Sequence, residues 1–509
     1  MTPATESLVV HTAEGPVRGS AADGVRSWRG IPYAQPPVGR LRLRDPQPAE
    51  PWSQVRDATA DGPVPPQRRV SVHLGAGRRT PVSEDCLTLN VSAPDRPETP
   101  VGLPVVVWLY GGAFTAGAGS VPGYRGDALV RRGDVVFVTL NYRLGALGFF
   151  DFRHLGAAER PFDANVGLKD QVAALQWIQR NIAAFGGDPG NVTLAGESAG
   201  GVSITTLMCV PAAAGLFHRG FALSSAPAAA LDEVRARWRA DRLLALLDVA
   251  PRDADAARRA LEELSWRALV AAAARLSDDI VPDEDPGTLA AAPVVDGSWL
   301  PEDPVSAFRA GRQHPVPLVL GTMAAEGTLF DKLHDILPTS AARIDKMLGG
   351  ADPAARQRLL DAYPGYPGKP AAVALGADSV FWHPSLQLAE AHSARAGTWM
   401  YRFDYAPRLL RLLGFGATHG SELPAFFDTY DSGLGRFLTS AGGRASARNV
   451  AVSFQGALLR FVRTDDPGPM WPRYTAVERR TRIFNVRGEL EMDPRRVQRQ
   501  AWQALSDED

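Results

Sequence analysis

Residues 192–200 read Val-Thr-Leu-Ala-Gly-Glu-Ser-Ala-Gly, an apolar run followed at once by a G-x-S-x-G motif. The first four residues predict a strand, and residues 202–208 predict the helix that follows. A serine on a sharp turn between a strand and a helix is held in a strained conformation, and the flanking glycines leave room for it. The motif alone also occurs in ordinary glycine-rich turns, so the prediction that Ser198 is a nucleophile depends on this context.

Two further apolar runs precede the motif, at residues 105–109 and 135–140, and neither alternates with polar residues. Short unbroken runs of this kind are typical of strands that are covered on both faces, as in a parallel sheet. Residues 163–185 have helical spacing and lead into Gly-Gly-Asp-Pro at 186–189, which predicts a helix stop and a turn. Strand, helix and strand in this order predict right-handed crossovers and an α/β fold with a mostly parallel central sheet.

The rest of the chain continues the strand series with helical segments between the strands. Residues 317–321 and 398–403 are predicted strands, and we find no internal repeat and no low-complexity linker. A length of 509 residues would allow about three domains. We instead predict a single catalytic domain, residues 1–509, with helical insertions around residues 226–315 and 331–393.

The composition is that of a globular protein, with 45% hydrophobic and 22% charged residues. The 55 basic residues nearly balance the 56 acidic ones, so no global field favours nucleic acid or anionic membranes as partners. No apolar stretch reaches the ~18 residues of a membrane span, and the first residues lack the pattern of a signal peptide. Two cysteines, Cys86 and Cys209, exclude a disulfide framework. We therefore expect a cytoplasmic protein.

A nucleophilic serine needs a histidine as its base and an acid that orients the histidine. In a site at the end of a parallel sheet these residues follow later strands, in the order serine, acid, histidine. Glu326 lies in the loop that leaves the predicted strand 317–321, and His419 lies downstream of the predicted strand 398–403. Other histidines are weaker candidates by their order or by their position on a predicted helix: His314, His383 and His392.

The tetrahedral intermediate of acyl transfer needs backbone N–H donors for its oxyanion. Residues 110–114, Tyr-Gly-Gly-Ala-Phe, directly follow the first apolar run, and their small side chains let backbone amides approach a ligand. We expect the donors to be the amides of Gly112, Ala113 and Ala199, although a plain glycine-rich turn is the alternative. Three apolar residues beside these loops either line a substrate pocket or belong to the core: Phe114, Leu329 and Phe330.

The sequence resembles the type-B carboxylesterases, the carboxylesterase and cholinesterase group of α/β-hydrolases, over nearly its whole length. The matching segments are Arg29–Ala34 with Pro36–Gly39, Ser83–Leu87, Gly111–Phe114, Asn165–Gln171, Phe185–Pro189, Gly196–Gly201, Glu326-Gly327 and His419-Gly420. The resemblance implies an α/β-hydrolase fold, a triad of Ser198, Glu326 and His419, and a role for Glu197 in the site. The family often pairs the cysteine at position 86 with an upstream cysteine, which is absent here.

We therefore predict a serine carboxylesterase that hydrolyses small to medium apolar esters through an acyl-enzyme. The chain has no Walker A motif, no H-E-x-x-H and no Cys/His metal cluster, so we expect neither a metal nor another cofactor. An amide or carbamate hydrolase on the same triad and a non-catalytic binding protein are the alternatives. The sequence leaves the choice between monomer and homodimer open. The arginine-rich residues 495–499 predict a solvated helical face.

Overall fold

A central sheet organises the computed structural model, which describes residues 8–69, 75–96 and 102–506. The strands of the described residues are, in chain order, β1 (Val9–His11), β2 (Pro16–Arg18), β3 (Ser20–Ala22), β4 (Val25–Pro32), β5 (Arg56–Asp57), β6 (Thr88–Pro94), β7 (Leu103–Leu109), β8 (Val136–Leu140), β9 (Gly187–Glu197), β10 (Arg219–Leu223), β11 (Leu318–Met323), β12 (Thr398–Phe403), β13 (Arg480–Phe484) and β14 (Glu489–Met492).

The central sheet has the strand order β14-β13-β12-β11-β10-β9-β7-β8-β6-β4-β3, and β1, β2 and β5 form a small separate sheet. All pairs from β8 through β7 and β9 to β13 are parallel, whereas the pairs at both edges are antiparallel. Strand β8 lies on one side of β7 and strand β9 lies on the other, so the order of the strands reverses direction at β7. Ligands of open α/β sheets bind at such a switch point, beyond the carboxyl ends of the strands.

The helices of the described residues are, in chain order, α1 (Asp127–Gly133), α2 (Val166–Asn181), α3 (Ala199–Leu207), α4 (Glu233–Leu246), α5 (Ala254–Glu263), α6 (Trp266–Arg275), α7 (Val281–Glu284), α8 (Pro304–Arg309), α9 (Gly327–Leu333), α10 (Ala341–Met347), α11 (Pro353–Asp361), α12 (Lys369–Ala377), α13 (His383–Ser393), α14 (Arg408–Leu412), α15 (Leu423–Phe426), α16 (Gly433–Leu438), α17 (Arg444–Thr464) and α18 (Arg496–Ser506). Two π-helical turns join helices, at Leu276–Ile280 and Asp378–Trp382.

The apolar runs of the sequence form the buried centre of the sheet. Every residue of β8 is buried, and so is every residue of β10 and β11. The helix predicted at 163–185 is α2 followed by a 3-10 turn, and it ends where Gly186 adopts a φ of 91°. The predicted turn at 186–189 is wrong in part, because β9 begins at Gly187 and pairs there with Leu103 of β7.

Helical segments fill the two long connections between neighbouring strands. Helices α4 to α8 lie between β10 and β11, and α9 to α13 lie between β11 and β12. Buried leucines of both segments, such as Leu243 and Leu359, belong to the same hydrophobic cluster as Val106 in β7. The central sheet and these helices therefore share one core, and the division of the chain into domains stays a prediction.

The arginine-rich segment 495–499 is a solvated face only in part, because Arg496 is exposed whereas Arg495 and Arg499 are more buried and bind carboxylates, so that prediction is wrong for these two arginines. Arg495 Nη1 donates to Asp378 Oδ1 over 2.7 Å. Arg499 is only 7% exposed, and its Nε donates to Asp493 Oδ1 over 2.7 Å. Long cationic side chains lie inside a fold when carboxylates compensate their charge. The partner of Arg495 is 117 residues away in the sequence, whereas that of Arg499 is only six residues away.

Candidate active site

Ser198 lies on the turn between β9 and α3, with φ 56° and ψ −123°, a strained conformation for a residue other than glycine. Its side chain is partly exposed, whereas both neighbours in the chain are buried. The turn packs tightly on β7: a Cβ at Gly200 would lie 1.9 Å from the carbonyl oxygen of Leu109. The glycine therefore allows α3 to start against the sheet, and the turn directs Ser198 outwards.

His419 and Glu326 meet beyond the ends of neighbouring strands, although 93 residues separate them in the chain. Nδ1 of His419 lies 2.7 Å from Oε2 of Glu326. The other carboxylate oxygen, Oε1, accepts a hydrogen bond of 2.8 Å from the amide of Met323, the last residue of β11. The strand end thus fixes the carboxylate, and the carboxylate fixes the imidazole. With Nδ1 facing an acceptor, Nε2 is free to act as the base.

Nε2 of His419 faces Glu197, the residue before the candidate nucleophile. It lies 3.1 Å from Oε1 of Glu197 and has no hydrogen-bond partner among the described residues. Both side chains are buried. Catalytic hydrogen bonds are often loose without substrate and tighten in the reacting complex, so an unbonded Nε2 is compatible with a base.

Burial and the neighbouring charges shift the pKa values of His419 and Glu197. Burial alone would lower the pKa of His419, but the carboxylates of Glu197 and Glu326 raise it to about 9. Burial raises the pKa of Glu197 to about 7; the imidazole opposes this shift and Glu326 adds to it. The resting site therefore favours an imidazolium held between carboxylates, and a proton must leave before His419 can act as a base.

A third carboxyl group, that of Glu422, is fully buried and raises the pKa of His419 slightly. Its Oε1 accepts a hydrogen bond of 3.4 Å from the Ser224 hydroxyl, and its Oε2 has no partner among the described residues. Burial raises the pKa of Glu422 well above its usual range, and the charges of Glu197 and Glu326 raise it further. These shifts favour the neutral form of Glu422. No sequence motif pointed to this residue, although it stands only three residues after His419.

The turn after β7 packs against the candidate nucleophile. A Cβ at Gly111 would lie 2.8 Å from the Cβ of Ser198, so only glycine allows this approach. Ala113 has a φ of 51°, and it borders the same cavity as Ser198 and Ala199. The amides of Gly112 and Ala113 donate to no acceptor within the described residues. The amide of Ala199 begins α3, where the first N–H groups of a helix lack intrahelical partners.

A largely apolar cavity of about 50 Å³, partly open to solvent, lies over Ser198. Phe330 and Phe381 line it, and their rings lie 4.9 Å and 4.8 Å from the imidazole of His419. Residues 226–229, which follow β10, contribute alanines to the wall. Phe381 was missed by the sequence analysis, because its place depends on how a long helical insertion folds.

Not every residue proposed for the pocket faces this cavity. Phe330 lines it, whereas Phe114 is fully buried and its ring lies 4.3 Å from that of Phe149. Leu329 is half-buried and lies outside the cavity wall. Glu197 faces the imidazole of His419 rather than the cavity. The structure thus brings together Ser198, Glu197 and Phe330, and places Phe114 in the core.

The other histidines that we considered have structural partners away from Ser198. Nε2 of His314 donates to the carbonyl of Val210, and Nε2 of His392 donates to that of Val316. His383 stacks on Trp502 with ring centroids 5.0 Å apart. Among the described residues there is no group of three or more side chains that could hold a metal ion. Nor does any helix within 8–69, 75–96 and 102–506 have the length and apolarity to cross a membrane.

Comparisons with known proteins show which family this chain belongs to. The model of the carboxylesterase family matches residues 6–502, which is nearly the whole chain. The chain belongs to the carboxylesterase family. The predicted resemblance and the α/β-hydrolase fold are therefore confirmed, and so is the prediction that the protein is a carboxylic-ester hydrolase.

The matches between this carboxylesterase and its relatives cover most of the length of both chains. A para-nitrobenzyl esterase of Bacillus subtilis is 39% identical over 97% of this chain and 98% of its own. A phenmedipham hydrolase of Pseudarthrobacter oxydans is 34% identical, with 92% of this chain and 93% of the relative covered. Among solved structures, a carboxylesterase of Geobacillus stearothermophilus superposes with a TM-score of 0.83 at 34% identity, over 97% of this chain and 100% of that one.

Proposed function

We propose that Ser198, His419 and Glu326 are the catalytic triad of this carboxylesterase. The observation that carries the proposal is the 2.7 Å contact between His419 Nδ1 and Glu326 Oε2. This contact and the strained serine turn both lie beyond the carboxyl ends of parallel strands, because Glu326 follows β11 and Ser198 follows β9. This contact supports the proposal because it joins an acid and a base that are 93 residues apart in the chain, the pair that a serine nucleophile requires.

In the proposed reaction the hydroxyl of Ser198 attacks the ester carbonyl while His419 takes its proton. The same histidine then donates the proton to the leaving alcohol, which leaves an acyl group on Ser198. A water molecule, activated by His419, releases the acid and restores the serine. Glu326 stabilises the imidazolium that forms in both steps.

The amides of Gly112, Ala113 and Ala199 are the proposed oxyanion donors. Their support is the packing of the turn after β7 on Ser198 and the lack of acceptors for the two turn amides among the described residues. Donors that are already in place are not reorganised during the reaction, and one such donor contributes about 3 kcal/mol in comparable sites.

The proposed substrates are small to medium esters of largely apolar acids and alcohols. Aromatic rings at Phe330 and Phe381 and alanines at 226–229 make the cavity wall apolar. Apolar walls with few polar groups favour ligands by burial of their hydrocarbon surface. An amide or carbamate preference is the second candidate, and rates on a matched ester and anilide would separate the two.

A phosphonate that mimics the tetrahedral intermediate tests the nucleophile. Treatment with a p-nitrophenyl alkylphosphonate should release one equivalent of nitrophenolate and leave the phosphonyl group on the peptide that contains Ser198. Ser198→Ala should remain unlabelled, whereas Ser379→Ala, which removes another serine of the cavity wall, should be labelled like the wild type. Labelling of a different residue would reject the assignment.

Two broader expectations remain proposals. We propose that the chain is one catalytic domain with helical insertions, supported by the core that the sheet shares with them. A cytoplasmic location stays a prediction; both cysteines are buried and free, in agreement with the expected lack of a disulfide.

A further inference from the structure

The π-helical turn Asp378–Trp382 forms part of the cavity wall beside Ser198. It joins α12 to α13, and its residues Ser379, Val380 and Phe381 border the cavity. A π-helical turn accommodates one extra residue in a helix, and such turns occur frequently at functional sites. Here the turn brings the ring of Phe381 to 4.8 Å from the imidazole of His419. Its position therefore affects the shape of the site directly.

Asp378, the first residue of this turn, is buried and bound by the C-terminal segment. Its Oδ1 accepts a hydrogen bond of 2.7 Å from Arg495, and its Oδ2 accepts a second one from the same guanidinium. Oδ2 also accepts the hydroxyl of Tyr363 over 2.5 Å, and that hydroxyl in turn accepts the indole N–H of Trp502 in α18 over 2.8 Å. The guanidinium lies 4.6 Å from the ring centre of Trp382, at the other end of the turn.

These contacts form a clamp, which we define as Asp378, Tyr363, Arg495 and Trp502. A buried carboxylate is stable only with a counter-charge and hydrogen bonds, and a bidentate arginine fixes both its position and its direction. The clamp holds the turn at both ends, because Arg495 contacts Asp378 and the ring of Trp382. The wall residue Phe381 lies between these two points.

We propose that Arg495, together with α18, positions Phe381 and so determines which esters fit the site. Phe381 is the specificity-determining residue in this proposal, and Arg495 is a positioning residue that acts through it. The proposal rests on the proposed function, because it concerns the cavity next to Ser198. It assigns a function to a C-terminal segment for which the sequence predicted only a solvated helical face.

The test compares the ratio of kcat/KM for p-nitrophenyl octanoate to that for p-nitrophenyl butyrate. Phe381→Ala removes the ring from the wall, so this ratio should rise by about fivefold or more. The clamp variant, Asp378→Asn with Arg495→Met, removes both charges and leaves no unpaired ion. It should raise the same ratio by about threefold, and Arg495→Lys, which keeps the charge, should lie between it and the wild type.

A double-mutant cycle separates positioning through Phe381 from a general loss of stability. In the Phe381→Ala background the clamp variant should leave the octanoate-to-butyrate ratio within about 1.5-fold, because the residue through which it acts is gone. The control is Arg219→Met with Asp465→Asn, which removes an arginine–aspartate pair at the amino end of β10, away from the site. This control should not change the ratio in either background.

The proposal is overturned if the folded clamp variant keeps the wild-type ratio, or if its effect is the same with and without Phe381. Amide hydrogen exchange over residues 378–382 gives a readout independent of activity, and exchange should be faster in the clamp variant than in the control. If the wild type hydrolyses no ester faster than Ser198→Ala, the proposed function fails. In that case the hydrogen-exchange data still test the clamp, because unchanged amide exchange at residues 378–382 in the clamp variant would reject it.

Discussion

At the scale of single residues, the site is defined by the imidazole of His419 and three carboxyl groups, which differ in how they contact it. Glu326 orients His419 through Nδ1, Glu197 faces Nε2, and Glu422 is a buried carboxyl group with a raised pKa. All three favour a positive charge on the imidazole, and Glu422 has the smallest effect. The pH dependence of the reaction should therefore distinguish the three groups.

Replacement of Glu197 should move the acid limb of the pH profile. His419 must be neutral to accept the serine proton, so kcat/KM rises with pH through the pKa of the imidazole, which lies near 9. Glu197→Gln removes a negative charge 3.1 Å from Nε2, which lowers the pKa of His419. The midpoint of the acid limb, measured with a neutral ester, should therefore move to lower pH by about one unit or more.

Glu422→Gln is the matched control for this measurement. Burial raises the pKa of the Glu422 carboxyl well above its usual range, and among the carboxyl groups around His419 it raises the pKa of the imidazole least. The midpoint should therefore move to lower pH by less than in Glu197→Gln. An equal shift in both variants would show that Glu197 has no special influence on His419.

The sequence allowed the triad to be predicted, because each member follows a recognisable strand and the order of such residues along the chain is restricted. It could not predict the pairing of His419 with Glu197, since two residues 222 positions apart meet only in the folded molecule. Phe381 was missed because its place depends on the fold of a long helical insertion, and Glu422 was missed because no motif marks it. Phe114 follows the expected turn, yet its side chain enters the core rather than the cavity.

At the scale of elements, the approach of α3 to β7 decides whether Ser198 can occupy its turn. A Cβ at Gly200 would lie 1.9 Å from a backbone oxygen, which cannot move without breaking the strand. Gly200→Ala should therefore yield little soluble protein, or a folded protein with a much lower melting temperature and at least about 100-fold less activity.

For Gly456→Ala, which changes a glycine within a helix, we expect the opposite effect on stability. Gly456 lies within α17 and has open space around the position of a Cβ. Alanine there should stabilise the protein by roughly 0.5–1 kcal/mol, because it restricts the unfolded chain and favours the helix. If both variants lost a similar amount of stability in thermal unfolding, the packing argument for Gly200 would be wrong.

The contact between α13 and α18 should weaken in acid. Burial lowers the pKa of His383, which stacks on Trp502, to about 4. The unfolded chain, with a histidine pKa near 6.5, therefore binds more protons between pH 6.5 and 4. Stability from this group is present above pH 6.5 and falls as the pH drops through 4, by up to about 3 kcal/mol.

His383→Phe retains the aromatic stack but removes the titration. The difference in melting temperature between the variant and the wild type should change in favour of the variant from pH 7 to pH 4.5. A difference that stays constant with pH would exclude His383 as an acid-sensitive group. The helix itself could be predicted from its pattern, whereas its contact with the end of the chain could not.

At the scale of the whole molecule, one hydrophobic core connects the sheet with both helical insertions. Thermal unfolding followed by calorimetry should therefore show one transition that coincides with the loss of esterase activity. Two resolved transitions, with the earlier one confined to the insertions, would indicate separate domains. The α/β class could be predicted from the buried strand runs, but Arg495 could not be placed, because its carboxylate partner, Asp378, lies 117 residues away in the sequence.

The most direct test of the central claim is the kcat/KM for p-nitrophenyl butyrate, measured for wild type, Ser198→Ala and Ser379→Ala under the same conditions. Loss of a nucleophile that acts with a base and an acid removes covalent catalysis, so Ser198→Ala should be slower by at least about 10⁴-fold. Ser379→Ala should stay within about tenfold of the wild type, since it changes only the cavity wall. A folded Ser198→Ala protein with near wild-type activity would contradict the assignment of the nucleophile and of the whole site.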